Sequence, residues 1–275
     1  MIKVNLVADM DCDRCSRPAI IFQPYSGLSL CPRHLIEDIQ RKGKKTVRSN
    51  SYLRSGDRIA VAVSEDPASI ALLDFMKVLV DGRKDVSVFA IVPGKHGGPD
   101  SSFGIPCISP PPECGIIPEE DYSKGRIPPS PDPFRIRNQK EKFLAFVAKK
   151  NSATALAMPY SLLDHAEWAL WKALNGEIPG SPGPGQKSGH GFRIIRPFKH
   201  IPGEELRIYA RMVAGRYCPD KTRYDTSDHE GSLISRLLAQ FGHGHPAAQF
   251  ALVNIWDDPA VPGPLPGREE AHWEG

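Results

Sequence analysis

Residues 58–80 read RIAVAVSEDPASIALLDFMKVLV, and the order of features in them decides the fold. After Arg58 the run to Val63 is short and unbroken in its apolar character, the mark of a strand buried on both faces of a parallel sheet. From Ala68 to Val80 the apolar residues Ile70, Leu72, Leu73, Met76, Leu79 and Val80 fall at helical spacing. Between the two, Asp66 and Pro67 suit a helix start, as N-cap and first helical residue. Outward from this unit the alternation repeats. Val86–Val92 and Ala153–Met158 read as strands, and Arg193–Phe198 as a fourth. Arg137–Asn151 reads as an amphipathic helix with Phe143, Leu144, Phe146 and Val147 inward. Leu163–Asn175 reads as a helix stopped at Gly176. Helices are also expected over Gly203–Val213 and Gly231–Phe241. The alternation predicts an α/β fold, a Rossmann-like doubly wound parallel sheet with helices on both faces.

Composition bounds the rest. The chain has 275 residues and a formal net charge of +3, from 35 Lys+Arg against 32 Asp+Glu. No stretch approaches the roughly 18 apolar residues of a membrane span. The opening MIKVNLVADMDCDRC lacks the apolar core of a signal peptide, so the expected location is cytoplasmic, with no membrane partner. Of the 27 Pro and 24 Gly, 14 Pro and 11 Gly cluster in Pro93–Pro133 and Ile178–Gly191. Loops of that length are usually functional or disordered. The acidic stretch Asp257–Gly275 has no periodicity and is expected to be a flexible tail.

Six cysteines in a long cytosolic chain point to metal or chemistry rather than disulfides. Cys12-Asp-Arg-Cys15, then fifteen residues, then Cys31-Pro-Arg-His34, is a C-x₂-C…C-x₂-H arrangement. Each short turn aims two donors at one ion, and two turns close a tetrahedron. The expectation is a structural zinc in a module over residues 1–45. The module includes a basic helix, and the basic run there and just beyond holds Arg41, Lys42, Lys44, Lys45, Arg48 and Arg54. It either faces phosphates or is a solvated surface.

The order zinc module, basic helix, RIAVAV, Ser64…Ser69 and helix resembles the PP-loop ATPase family of tRNA 2-thiolation enzymes, the 2-thiouridine and 2-thiocytidine synthetases. Leu162–Glu177 is similar to the family's Asp-Asp-Glu-Ala helix. Pro111–Ile117 (PPECGII) resembles its C-x-x-C-G loop, and Arg193–Cys218 its basic-proline strand and Tyr-Ala helix leading to a cysteine. The resemblance implies an adenine-nucleotide α-hydrolase fold over residues 46–256. It also implies ATP-dependent adenylation of a tRNA uridine or cytidine, followed by sulfur transfer. The implied site residues are Ser64, Asp66, Ser69 and Asp164 for ATP and Mg²⁺, and Cys114 and Cys218 for sulfur or an iron–sulfur cluster. The implied partners are tRNA, a sulfur-carrier protein and a second copy in a homodimer.

The chain departs from the family pattern at the phosphate loop. The family's S-G-G-x-D-S becomes Ser64-Glu65-Asp66-Pro67-Ala68-Ser69. Glycines there let backbone N–H groups approach phosphates at a helix N-terminus. Here carboxylates replace both glycines, and Pro67 offers no N–H. A carboxylate about 4 Å from a phosphate charge costs roughly 4 kcal/mol at an effective dielectric of 20, unless Mg²⁺ lies between them. The cysteine motif is also short of one thiolate: Pro111 stands at its first position, and Cys107 is an alternative donor. Two readings follow, a tRNA sulfurtransferase with a remodelled ATP site, or an inactive paralogue that binds RNA or protein.

Overall fold

The computed structural model describes residues 10–64, 66–92, 105–110, 134–177, 192–214 and 233–257. The first elements are a hairpin, β1 (Ile21–Gln23) and β2 (Leu28–Leu30), and helix α1 (Pro32–Ser49). The predicted alternation follows. Strand β3 (Arg58–Ala62) leads into α2 (Pro67–Val80), then β4 (Ser87–Ile91) and β5 (Cys107–Ile108). Helix α3 (Arg135–Lys150), β6 (Ala155–Ala157), α4 (Leu162–Leu174), β7 (Arg193–Ile195) and α5 (Gly203–Ala214) come next. Helices α6 (Leu233–Gly244) and α7 (Ala248–Asp257) complete the order. No described helix is long and apolar enough to cross a membrane.

The five strands β3–β7 form one parallel sheet in the order β5-β4-β3-β6-β7. The chain starts at the central strand, builds to one side through β4 and β5, then crosses to β6 and β7. The direction therefore reverses between β3 and β6, the position where open α/β sheets bind ligands at their C-terminal edge. Central β3 is buried at every residue from Ile59 to Ala62, as its apolar run requires.

Three features depart from the sequence reading. Cys107 and Ile108, in the middle of the Pro-rich stretch, pair with Ala90 and Ile91 as an edge strand. A further helix, α7, follows α6 after the short link His245–Ala247. Phe146, expected inward, is 60% exposed. Helix α3 turns Leu144, Val147 and Ala148 onto the sheet, and Phe146 points away from them.

The N-terminal hairpin and α1 share one core with a face of the sheet. Cys12, Leu30, Cys31, Leu35 and Ile39 join Ile59, Val61, Phe75, Leu206 and Tyr209 in a single buried cluster. Polar braces run through the same contact. The buried Asp38 carboxylate holds Lys42 and Arg41 at 2.6 Å and Arg14 at 3.1 Å. Lys42 also donates to Tyr25 Oη, which donates to Glu205 Oε1 at the start of α5. Gln40 donates to Tyr209 Oη, and Tyr209 donates to Asp74 of α2 at 2.6 Å. Gly43 lets α1 and α2 approach: a Cβ there would lie 2.7 Å from Phe75 Cε2.

Two stability predictions follow from this contact. Gly43→Ala lowers the unfolding free energy by about 1–3 kcal/mol in urea titration, because Phe75 is wedged against Phe198 and cannot yield freely. An unchanged midpoint contradicts the close approach. Burial alone would raise the Asp38 carboxyl, but Lys42 and Arg41 outweigh it and hold it at about 2. A carboxyl depressed in the folded state stabilises above its unfolded pKa, and that stability is lost as pH falls toward 2. Asp38→Asn is therefore expected to flatten the fall in thermal midpoint between pH 4 and pH 2.

Candidate functional site

Two places in the molecule collect chemistry. The first is the N-terminal knuckle. Cys12 N donates to Arg17 O, and Cys15 N donates back to Cys12 O, closing the first C-x₂-C turn. Asp13 ties this turn to β2 by accepting from Ser29 N. Cys31 is the N-cap of α1, and Pro32 starts the helix without losing a needed N–H. That turn of helix brings His34 back over Cys31.

The four donor atoms all lie within 4.8 Å of one another. Cys15 Sγ and Cys31 Sγ are 3.8 Å apart, and His34 Nδ1 is 3.5 Å from Cys31 Sγ and 3.2 Å from Cys12 Sγ. A tetrahedral ion with bonds of ~2.3 Å to sulfur needs sulfur–sulfur edges of about 3.8 Å. The donor set and its spacing therefore fit a closed, four-ligand metal site. Glu37 Oε2 lies 3.9 Å from His34 Nε2, on the far side of the ring from the cluster, where a carboxylate orients a ligating imidazole. Burial opposes a charged Cys12, but the backbone N–H groups of Cys31 and Arg14, with His34, outweigh it and lower the thiol to about 6. Among the described residues this is the cluster able to hold a metal. Cys107 is exposed on the edge strand, and burial of its sulfur raises its pKa. Cys114 and Cys218 lie outside the described residues.

The second place is the C-terminal edge of the sheet at the β3/β6 reversal. Ser64 and Ser69 lie at the strand-to-helix junction after β3, where the sequence places them. Their polar groups serve the junction itself. Ser69 Oγ, fully buried, accepts from Ser64 N at 3.0 Å and shares its hydroxyl hydrogen between Ser64 O and Asp66 O. Asp66 caps α2, accepting from Ala68 N at 2.8 Å. Pro67, the first helical residue, has no N–H. The end of the helix dipole thus carries a carboxylate of the protein in the position where a phosphate would sit. Glu65 lies outside the described residues.

Across the crevice, the residues after β6 form a capping box. Ser161 Oγ accepts from Asp164 N, and Asp164 Oδ2 accepts from Ser161 N at 2.7 Å. Asp164, at the third helical position, thus serves the start of α4 itself. Arg137 of α3 donates to Asp164 O at 3.0 Å and lies 3.8 Å above the Tyr160 ring. Arg196, just after β7, donates from Nη2 to both carboxylate oxygens of Glu141 at 2.9 Å. Burial pushes the Tyr160 hydroxyl up to about 12. Burial also drives His165 well below its ordinary value, reinforced by Arg137, Arg196, Lys199 and His200. Its Nε2 is buried without a partner.

Arg137, Glu141, Tyr160 and His165 carry no sequence motif. One signal was available: Glu141 is the lone acid in a basic helix, and a lone acid on such a helix is a candidate for an inward ion pair.

Residues 11–36 match the family model described as the N-terminal LIM domain of the 2-thiouridine synthetase TtuA. The tRNA 2-thiolation protein NcsA of Haloferax volcanii is 21% identical, over 90% of this chain and 86% of its own. The tRNA-5-methyluridine(54) 2-sulfurtransferase of Pyrococcus horikoshii is 25% identical, over 89% of this chain and 81% of its own. Among solved structures, the U34-tRNA thiolase NcsA from Methanococcus maripaludis, solved with its [4Fe-4S] cluster, superposes with a TM-score of 0.68 at 19% identity. It covers 90% of this chain and 87% of its own, and it shares the fold. Nothing in these likenesses favours the reading of an inactive paralogue.

A full complement of one metal ion per chain is expected by elemental analysis. Cys12→Ser or chelation should remove it and lower the thermal midpoint, because the ion's ligands belong to the main buried cluster. Loss of the metal with an unchanged midpoint would contradict that coupling.

Proposed function

We propose that this chain, a relative of the PP-loop tRNA 2-thiolation proteins, is itself a tRNA 2-thiolation protein of the cytoplasm. One observation carries the reading. A knuckle of the TtuA N-terminal type is followed, in one packed body, by a parallel sheet whose reversal point bears the Ser64–Ser69 junction. The reaction has two steps. A carbonyl oxygen of a tRNA pyrimidine attacks the α-phosphorus of ATP, and pyrophosphate leaves. A sulfur nucleophile then attacks the activated ring carbon and expels AMP, which takes that oxygen with it.

The residues assigned to nucleotide and Mg²⁺ are Ser64, Asp66, Ser69 and Asp164, and those assigned to sulfur are Cys114 and Cys218. Zinc is the ion proposed for Cys12, Cys15, Cys31 and His34, held as structural support. An iron–sulfur cluster would need a third thiolate beside Cys114 and Cys218, and Cys107 is the remaining candidate.

The junction sets the terms for nucleotide. Among its described amides, Ser64 N is taken by Ser69 Oγ and Ala68 N by Asp66, which supplies the anion that the α2 dipole attracts. Phosphate enters when Asp66 gives up Ala68 N; a Mg²⁺ ion bound there would be held by the Asp66 carboxylate and would offset its charge toward phosphate. This resident carboxylate is the remodelled part of the ATP site.

Two measurements test the proposal. With unmodified tRNA and Mg²⁺·ATP, the purified protein is expected to form AMP and pyrophosphate in equal amounts. ATP turnover that ignores tRNA, or yields ADP, contradicts it. Asp66→Gly is expected to tighten binding of metal-free ATP at least tenfold in titration calorimetry, out of the roughly thousandfold that ~4 kcal/mol represents. Weaker binding in the variant would contradict the electrostatic account.

A further inference from the structure

Helix α3 carries Arg135, Arg137, Lys140, Lys142, Lys149 and Lys150, and a single acid, Glu141. Glu141 is buried and faces Arg196, so it does not neutralise the helix surface. At 100° per residue, Arg135, Gln139, Lys142, Phe146, Lys149 and Lys150 fall on one stripe, opposite Leu144 and Ala148, which pack on the sheet. All six stripe residues are exposed. Arg135, Lys142 and Lys150 meet no carboxylate among the described residues. The stripe spans about 22 Å, with its cations roughly 10 Å apart along the axis. In the middle stands Phe146, 60% exposed.

A phenyl ring exposed amid cations serves no purpose in the core. Basic side chains that track a backbone, with an aromatic face between them, are the pattern of a surface for unpaired nucleic acid. The stripe is also aimed. Helix α3 precedes β6 and runs antiparallel to it, so its first turns lie at the crevice edge, where Arg137 covers Tyr160.

We infer that the outer face of α3 is an RNA contact, on which Phe146 stacks an unpaired base while Arg135, Lys142, Lys149 and Lys150 hold the flanking phosphates. The face leads the strand toward the crevice at the sheet edge. This inference rests on the tRNA 2-thiolation reading and names where that substrate is held.

The test uses the full chain, fluorescently labelled unmodified tRNA, and a blunt RNA duplex of similar charge, in a salt series. Phe146→Ala is expected to weaken tRNA binding roughly fivefold or more and to leave duplex binding unchanged, because only unpaired bases stack. Lys142→Gln with Lys150→Gln is expected to reduce the slope of log affinity against log salt by about one to two. Circular dichroism and the thermal midpoint should stay at wild-type values, since all three side chains are exposed. If wild-type protein binds tRNA and the variants match it in affinity and slope, the α3 contact is wrong while the thiolation reading stands. An equal loss on tRNA and duplex with Phe146→Ala overturns the stacking role. If wild-type protein fails to bind tRNA even at low salt, the thiolation reading fails, and the α3 contact with it.

Discussion

The N-terminus of α2 can satisfy one anion, and Asp66 supplies it. That constraint organises the sheet edge. With Pro67 lacking an N–H, and Ser69 closing its hydroxyl onto Ser64 and Asp66, the described polar groups of the junction pair with one another. A glycine-rich junction offers bare amides to phosphate, whereas this one offers a competitor. Any anion that binds here must first displace Asp66 from Ala68 N. Stability of the empty protein and affinity for phosphate are therefore opposed at this point of the chain.

The metal knuckle lies on the other side of α2 and α5, and it is part of the same solid. Cys12 and Cys31 are buried in the cluster that contains Phe75 and Tyr209. Asp38, Lys42, Tyr25 and Glu205 form a charged chain from α1 to the start of α5. Burial makes such a chain costly unless every member is paired. Glu205 illustrates the cost: burial raises its pKa despite the neighbouring Lys42 and Tyr25. Its Oε2 lacks a hydrogen bond and sits 3.8 Å from Lys42 Nζ. The knuckle thus bears on the shape of the sheet edge through packing, with no need to reach it directly.

Much of this was legible in the sequence, for identifiable reasons. RIAVAV announced a doubly buried strand because the fold buries it on both faces. The knuckle was legible because two x₂ spacings fix ligand geometry locally. Asp66-Pro67 read correctly as a helix start from local capping chemistry alone. What escaped is what depends on distant partners. Cys107-Ile108 is a strand only because β4 offers an open edge, and two residues carry no period. Phe146 reads as core beside Phe143, Leu144 and Val147, and only the position of the sheet decides which side of α3 is inside. Arg137 on Tyr160 and Arg196 on Glu141 join residues 23 and 55 positions apart, and no local pattern encodes them.

A sheet edge capped by a resident carboxylate, a four-ligand cluster fit for a metal and a cationic helix meet in the tRNA 2-thiolation protein proposed above. Nucleoside mass spectrometry addresses it most directly, on tRNA incubated with metal-loaded protein, Mg²⁺·ATP and a sulfide source. The predicted result is a pyrimidine in which sulfur has replaced an oxygen, formed only when ATP is present. Unaltered nucleosides from protein that is folded, metal-loaded and bound to tRNA would contradict it.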